Sequence, residues 1–213
     1  GHESWHPAPE FYYQRGGGPM FDMGPYYVTA LINLLGPVRR VSAITTASFP
    51  RRLITSQPLA GKKIRVEVPT HYSGTAEFAN GAVATLIMSF DTYPLANQPC
   101  IVIYGSEGTM IVPDPNTFTG PVRVRRGTDA DFAEAPLTHS DQRLRGTGVA
   151  DLAYSLRRRR RRHRCSGELA HHVIETMAAF ERSSRLGRHV RLASTVVRPA
   201  ALPPNLPLNV LDA

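Results

Sequence analysis

A carboxylate and a phenol stand four residues apart in the sequence, shortly after a run of three glycines. On a helix this spacing places Asp22 and Tyr26 on the same face, one turn apart. Side chains of these two types, held side by side, can share a ligand through hydrogen bonds and exchange a proton with it. The pair is therefore our candidate site. The pattern fits a structural interpretation equally well, in which Asp22 caps the helix and Tyr26 packs with its hydroxyl on a neighbour.

The segment that must position this pair runs from the glycines at 16–18 to Gly36-Pro37. Glycines allow positive φ angles and a close approach of the backbone to another element. Pro25 suits the first turn of a helix and Gly36-Pro37 ends one, so we predict a helix over about residues 24–35. It carries an apolar stripe (Tyr27, Ala30, Leu31, Leu34, Leu35) and a polar stripe (Asp22, Tyr26, Thr29, Asn33).

Most of the remaining chain has the pattern of strands. The predicted strands span residues 38–49, 71–79, 82–90, 100–104, 109–112, 121–126, 132–137 and 189–192, with a loop or edge strand at 51–65 and helices at 147–156 and 166–186. Asn80-Gly81 predicts a two-residue hairpin turn that pairs Phe78 with Val83. Ile87 would then belong to the same core-facing row. A helix, then strands, then helices, without βαβ alternation, indicates an α+β fold.

The positive charge of the chain is concentrated in one tract. The formal net charge is +8, but residues 157–162 and Arg164 supply seven of these charges, which leaves +1 for the rest. No interleaved aromatic residues accompany the tract, so we interpret it as a solvated loop between helices and do not expect nucleic acid as a partner. No apolar run approaches the ~20 residues of a membrane span, so no membrane contact is predicted.

Several families of enzymes are disfavoured by motifs that the sequence lacks. It has no strand followed by GxGxxG, no phosphate-binding P-loop and no GxSxG elbow, so neither a complete nucleotide site nor nucleophilic hydrolysis is predicted. Cys100 and Cys165 form no CxxC, and we expect reduced thiols in a cytoplasmic protein. The chain begins at Gly1 with no leader, and we expect it to be a piece of a longer protein.

Eight histidines prompt a search for metal ligands. His2, Glu3 and His6 could cluster, but they lack any established metal-ligand spacing. His171 and His172 are adjacent on a predicted helix and point in different directions, so they cannot bind one ion from one face. No metal site is therefore predicted, and the two adjacent histidines are expected to be ordinary helix residues.

Several motifs occur in an order that resembles a known family. They are WHP, GGGPMFDMGPYYVTALINLLGP, EFANGA, IYGSEGTM, VPDPN and GVADLAY…SGELAHHVIETM. Over about residues 1–205 the chain is similar to the C-terminal domain of the Gfo/Idh/MocA oxidoreductases, which leaves 206–213 as a tail. The resemblance implies an α+β domain with an open, mostly antiparallel mixed sheet and helices packed on one face. It also implies a homo-oligomer formed through the open sheet, and a separate N-terminal Rossmann domain for NAD or NADP that this chain does not contain.

The resemblance also assigns roles to residues. The family pattern of a glycine run, Asp, Gly and then His or Tyr matches Asp22, Gly24 and Tyr26, which implies that Asp22 and Tyr26 are catalytic. The implied activity is NAD(P)-dependent oxidation or reduction of a sugar, polyol or related hydroxylated compound, and the chain alone is expected to be inactive. The implied substrate-binding residues are Trp5, His6, Tyr12 and Thr29, the last standing where the family often has Asp. The alternative is a non-catalytic binding or oligomerisation module with the same fold.

Overall fold

The computed structural model describes residues 1–93, 95–140, 142, 145–157, 162–208 and 210–211. The chain divides into two units, Gly1–Tyr93 with Gly167–Arg198, and Pro94–Ser166 with Pro199–Ala213. In chain order the elements are two 3₁₀ helices (His2–Ser4 and Pro9–Tyr13), α1 (Gly18–Leu35), β1 (Val38–Thr46), β2 (Arg51–Leu53), β3 (Lys63–Arg65), β4 (His71–Phe78), β5 (Val83–Ser89), β6 (Ile101–Tyr104), β7 (Gly108–Val112), β8 (Arg123–Arg126), β9 (Ala133–Glu134), α2 (Thr147–Arg157), α3 (Gly167–Leu186) and β10 (Val190–Arg191).

The first unit is built on a four-stranded antiparallel sheet with the strand order β10-β1-β4-β5. The segment 51–65, predicted as a loop or edge strand, supplies β2 and β3, which form a separate antiparallel ribbon. Helices α1 and α3 pack on one face of the larger sheet and bury the large side chains of its core: Met20, Ile32, Tyr72, Phe78, Met177 and Phe180. Burial of this apolar surface holds the helices on the sheet. The predicted α+β class, with an antiparallel sheet covered on one face, is confirmed.

The second unit contains an antiparallel sheet of order β6-β7-β8-β9 and the helix α2. The predicted hairpin at 100–112 is confirmed as β6 and β7, whereas the strands predicted at 121–126 and 132–137 are shorter. Buried Asp151 accepts hydrogen bonds from the backbone N–H and Nη1 of Arg164, each at 2.6 Å. Cys100 and Cys165, both of which are described, are not joined in a disulfide. Residues 158–161 of the arginine tract lie outside the described residues.

The two helices in the C-terminal half of the sequence were predicted closely by their patterns. The helices predicted at 147–156 and 166–186 are confirmed to within one residue as α2 and α3. The apolar stripe of α3 is fully buried, at Leu169, Val173, Met177 and Phe180. No helix in the described part of the chain is both long enough and apolar enough to cross a membrane.

Helix α1 begins earlier than predicted, at Gly18 instead of about residue 24. Pro19 occupies its first turn, where the missing N–H loses no partner, and Pro25 lies inside the helix. A Cβ on Gly24 would lie only 2.6 Å from Sδ of Met177 on α3, so the two helices pack closely at this point. This packing outweighs the local cost of an internal proline. From Met20 onward, the buried residues along the helix are spaced by four, at Met20, Gly24, Val28 and Ile32. They lie beside the predicted apolar stripe and do not coincide with it.

The hairpin between β4 and β5 differs by one residue from the predicted register. Val83 pairs with Glu77 and not with Phe78, so the loop consists of residues 79–81, in which Gly81 takes a φ of 90°. A shift of one residue moves a side chain to the opposite face of a sheet. Val83 and Ile87 are therefore 70% and 67% exposed, and their predicted place in the core is wrong. Phe78 alone of the three is buried.

His172, on the buried side of α3, ties this helix to two other segments. Its Nε2 accepts the Val38 N–H at 3.0 Å, and its Nδ1 lies 2.8 Å from Oγ of Ser194. Because Nε2 accepts, the neutral ring carries its proton on Nδ1. Burial lowers the pKa of His172, so the ring remains neutral in the folded protein to a lower pH than in the unfolded chain. The preceding His171 is exposed, which confirms that the two rings point in different directions.

Acidification is expected to destabilise the protein through His172. Its pKa is lowered by folding, so below its unfolded-state value of ~6.5 the unfolded chain binds a proton that the folded chain does not. The stabilisation is complete above that pH and declines as the pH falls. His172→Gln should cost ~1–3 kcal/mol at neutral pH, because buried partners lose their hydrogen bonds, and should flatten the acid side of the profile. Urea unfolding at a series of pH values measures both effects, with His171→Gln as the control; identical profiles for the two variants would contradict the assignment.

Candidate functional site

The glycine run holds the start of α1 against the preceding 3₁₀ helix. Gly16 and Gly18 take φ angles of 88° and 85°, a region that other residues rarely adopt. A Cβ on Gly17 would lie 2.5 Å from the carbonyl oxygen of Phe11, so only glycine permits this approach. The predicted role of the glycines is confirmed. They place the first turns of α1, which carry Asp22, beside the aromatic N-terminal segment, residues 2–13.

Asp22 contacts His2 in a half-buried position. Its Oδ2 lies 3.3 Å from Nε2 of His2, and the His2 ring stacks on Tyr12 with the centroids 3.8 Å apart. Burial raises the pKa of Asp22 above its ordinary value, although the nearby His2 opposes this shift. Burial likewise lowers the pKa of His2, against the influence of Asp22. For both groups, the loss of hydration outweighs their mutual attraction.

The structure brings four of the six predicted site residues together around His2. The His2 ring lies 5.3 Å from the ring of Trp5, and the His6 ring lies 5.3 Å from that of Tyr12. The members of this cluster, which we call the His2 cluster, are His2 with the predicted residues Trp5, His6, Tyr12 and Asp22. Tyr26 and Thr29 are half-buried farther along α1, and their part in a site stays a prediction.

A buried charge network beside this cluster was not predicted from the sequence. Arg52, on β2, is 9% exposed; its Nη1 donates to Oε1 of Glu3 at 2.8 Å and its Nη2 donates to Oδ1 of Asp91. Each carboxylate accepts a further hydrogen bond, Glu3 from the Tyr13 hydroxyl and Asp91 from the Thr70 hydroxyl at 2.7 Å. Burial by itself would raise the pKa of both carboxyls, but these donors and the Arg52 charge hold it below the ordinary value.

The loop between β2 and β3 holds the N-terminal segment in place. The backbone N–H groups of Thr55 and Ser56 donate to the carbonyl oxygen of Glu3 at 2.9 and 3.1 Å. The Ser56 hydroxyl donates to the carbonyl oxygen of His6 at 2.6 Å. Together with the Arg52 ion pairs, these bonds fix both ends of residues 3–6, and they thereby set the position of the rings in the His2 cluster.

A cleft of about 580 Å³ opens beside the His2 cluster. Its lining includes the charge network and several exposed aromatic residues: His2, Glu3, Trp5, Phe49, Arg51, Arg52, Asp91 and Tyr93. His2 belongs to the lining and also contacts Asp22, which does not line the cleft. Nδ1 of His2 is buried and has no hydrogen-bond partner among the described residues. A ligand in the cleft would therefore lie one side chain away from Asp22.

The unpredicted residues had little sequence signal. In the sequence, His2 and Glu3 suggest at most a metal site, and the described residues contain no group of three or more His, Cys, Asp or Glu that could hold a metal ion. Arg52 and Asp91 are 39 residues apart and belong to no motif. They meet only because β2 and the end of β5 come together in the fold.

Comparison with known sequences identifies the family. The sequence profile described as "GFO/IDH/MocA C-terminal domain" matches residues 1–111, which is more than half of the chain. The chain belongs to the Gfo/Idh/MocA family. The resemblance inferred from the motifs is therefore confirmed. A search of curated proteins gives no significant match to this Gfo/Idh/MocA domain.

Solved structures of several oxidoreductases share the fold of this Gfo/Idh/MocA domain. The apo form of levoglucosan dehydrogenase gives a TM-score of 0.69 at 17% identity, over 90% of this chain and 56% of that chain. Aldose-aldose oxidoreductase from Caulobacter crescentus gives 0.65 at 19%, over 89% and 53%. An NAD binding oxidoreductase from Klebsiella pneumoniae gives 0.63 at 18%, over 89% and 55%. At these identities the likeness shows the fold alone, and the chain spans about half the length of these proteins.

The described residues of this Gfo/Idh/MocA domain do not fit a dinucleotide. The pyrophosphate of NAD(P) is bound in Rossmann folds where a parallel strand leads through GxGxxG into a helix. Every strand pair in the described part of the chain is antiparallel. The glycines at 16–18 have a different spacing and follow a 3₁₀ helix. The part of the domain that the structure describes therefore contains no Rossmann-type site for the cofactor.

Replacing Arg52 is expected to destabilise the domain strongly. Arg52→Met leaves Glu3 and Asp91 buried without their cation, and breaking a buried ion pair by removing one partner costs ~3–5 kcal/mol. Arg51→Met is the matched control, because Arg51 is the exposed neighbour on the same strand and should change the free energy of unfolding by less than ~0.5 kcal/mol. Chemical denaturation of both variants measures the difference. Equal losses would contradict the assigned cost of leaving these carboxylates without their cation.

Proposed function

We propose that this chain is the substrate-binding half of an NAD(P)-dependent oxidoreductase that acts on a sugar, a polyol or a related hydroxylated compound. The observation that carries the proposal is the His2 cluster, in which Asp22 is held at the glycine run next to an open cleft. The ligands bound in similar structures support the ligand class. Levoglucosan dehydrogenase is described in complex with NADH and L-sorbose, and the Caulobacter crescentus aldose-aldose oxidoreductase in complex with glycerol.

In this proposal the domain binds the substrate and moves a proton. Asp22 accepts a hydrogen bond from a substrate hydroxyl, while its contact with His2 orients the carboxylate. Tyr26, one turn along α1, gives a proton to the reacting oxygen or takes one from it. A phenol has an ordinary pKa of ~10, so a tyrosine base needs a nearby cation at neutral pH. Further contacts to the substrate are assigned to Trp5, His6, Tyr12 and Thr29.

The chain alone is proposed to be inactive. The redox chemistry belongs to the nicotinamide cofactor, and the described residues do not fit one. Without a bound dinucleotide, the large effective concentration that an enzyme gives its second reactant is lost. A cytoplasmic location, predicted from the sequence, stays a prediction.

Removing one phenol should identify the proton-transfer residue. In a protein that joins this domain to a dinucleotide-binding domain, Tyr26→Phe should lower kcat by ~10²–10⁴-fold, the usual contribution of general acid–base catalysis. Tyr27→Phe is the matched control, because Tyr27 is the adjacent phenol and packs against the core. The rate of NAD(P)H formation or consumption with a panel of sugars and polyols measures the effect.

Two outcomes would count against this part of the proposal. An unchanged rate in Tyr26→Phe removes Tyr26 from the mechanism. Robust NAD(P)-dependent turnover by the 213-residue chain alone contradicts its proposed inactivity. Absence of sugar binding in calorimetry, together with self-association, would favour the alternative of a non-catalytic oligomerisation module.

A specific feature also supports a role in assembly. The face of the sheet opposite α1 and α3 exposes Ile44, Val83 and Ile87 at 75%, 70% and 67%. Ile44 and Ile87 both pair with Ser73 of β4, so the two isoleucines flank one residue on the same face. Large apolar side chains grouped on an open sheet are typical of protein interfaces. We infer that two copies of the chain pack through this face, because homo-oligomers most often form by twofold symmetry.

Charges on this face should disrupt the assembly. Ile44→Glu combined with Ile87→Glu would bury carboxylates in an apolar interface, so the dissociation constant should rise by at least about 100-fold. Light scattering after size exclusion measures the molar mass, which should fall to that of one chain. Ile174→Glu is the control, since Ile174 is exposed on α3, on the other side of the sheet. A wild-type chain that is monomeric at high concentration would contradict the proposal.

A further inference from the structure

The rim of the cleft beside His2 is aromatic. Three of the four aromatic side chains that are exposed in the first unit, whose residues are all described, lie there: Trp5, Phe49 and Tyr93. Trp5 is 63% exposed and Tyr93 is 95% exposed, so large aromatic rings that line the cavity face water. The face of an aromatic ring carries partial negative charge and attracts the polarised C–H groups of a sugar ring. This arrangement suits a ligand with both C–H faces and hydroxyls.

The formal charges of the Arg, Asp and Glu side chains that line the cleft sum to zero. Arg51 and Arg52 are matched in number by Glu3 and Asp91, and Arg52 is paired with both carboxylates. The Arg52 guanidinium also lies over the Phe49 ring, 5.0 Å from its centroid, which holds that ring in place. The Arg and acidic side chains of the lining therefore offer an ionic ligand no excess of opposite charge. A neutral ligand rich in hydroxyls would find acceptors in the carboxylates and donors in the guanidinium groups.

The size and position of the cleft point to more than one sugar unit. Its volume of about 580 Å³ exceeds what one pyranose ring fills and lies within the ~300–1,000 Å³ of ordinary ligand sites. His2 lines the cleft and contacts Asp22 at 3.3 Å, so the cleft begins where the proposed reacting unit is held. Asp22 itself lies outside the lining, which leaves the cleft for a part of the ligand that does not react.

We propose that the cleft is a subsite for a second sugar unit, so that the substrate is an oligosaccharide or a glycoside with a sugar-like aglycone. Trp5, Phe49 and Tyr93 stack on the second unit, and the paired charges of Glu3 and Arg52 bind its hydroxyls. This inference rests on the proposed function, because it takes Asp22 as the residue that holds the first unit.

The chain carries its own reporter for the test. Trp5 is the one tryptophan in the sequence, so its emission reports directly on the cleft. The full chain is titrated with glucose, galactose and mannose and with maltose, cellobiose, lactose and mannobiose, by tryptophan fluorescence and by calorimetry. At least one disaccharide should bind about tenfold more tightly than its constituent monosaccharides and should shift the Trp5 emission, because stacking excludes water from the indole.

Variants distinguish the binding of the first sugar unit from the binding of the second. Tyr93→Ala should weaken the binding of that disaccharide by about five- to tenfold and leave monosaccharide binding unchanged, since it removes one stacking surface. Tyr104→Ala is the matched control, because Tyr104 is 80% exposed and does not line the cleft. Asp22→Asn should weaken the binding of both monosaccharides and disaccharides.

The outcomes distinguish this inference from the proposed function. If no disaccharide binds more tightly than its monosaccharides, or if Tyr93→Ala has the same effect as Tyr104→Ala, the subsite is overturned. Monosaccharide binding that Asp22→Asn weakens would still support the proposed function in that case. Failure of every sugar to bind would overturn both.

Discussion

A guanidinium buried between two carboxylates joins the parts of the chain from which the candidate site is made. Arg52 lies on β2, Glu3 belongs to the N-terminal segment and Asp91 follows β5. A charge this deeply buried is unfavourable without its partners, so the three segments must meet in one arrangement. A buried ion pair adds little net stability compared with apolar packing, and its main effect here is therefore geometric. The His2 cluster and the cleft both depend on that geometry.

Burial also decides the electrostatics of the site. Asp22 and His2 attract one another. The loss of hydration nevertheless raises the pKa of Asp22 and lowers the pKa of His2, which favours the neutral form of each group. Glu3 and Asp91 shift in the opposite direction, because several donors and Arg52 surround them. The same region thus holds a charge network that is internally satisfied and an acid that remains available to a ligand. This difference makes Asp22 the candidate for binding the hydroxyl of the reacting unit, whereas Glu3 and Asp91 lie in the lining of the cleft proposed for the second unit.

The fold was largely predictable because local patterns repeat along its elements. The buried stripe of α3, the hairpin at 100–112 and the α+β class follow from spacing alone, and the motifs identified the family. The two wrong predictions, the start of α1 and the burial of Val83 and Ile87, also have physical causes. Helix α1 continues through Pro25 because Gly24 packs closely against α3, and a three-residue loop places Val83 and Ile87 on the exposed face of the sheet. For Pro25, a contact with a distant helix therefore outweighed a local preference.

The sequence by itself determined the family, the glycine run that positions α1, and the carboxylate and phenol proposed to bind the substrate and to move its proton, because these depend on neighbours a few residues apart. Only the tertiary structure placed Trp5, His6, Tyr12 and Asp22 around His2, paired Arg52 with Glu3 and Asp91, and opened a cleft beside them. Ion pairing and burial depend on which distant segments meet, and no local spacing encodes that meeting. Candidate residues were therefore visible in the sequence, while their arrangement into a candidate site was visible only in the fold.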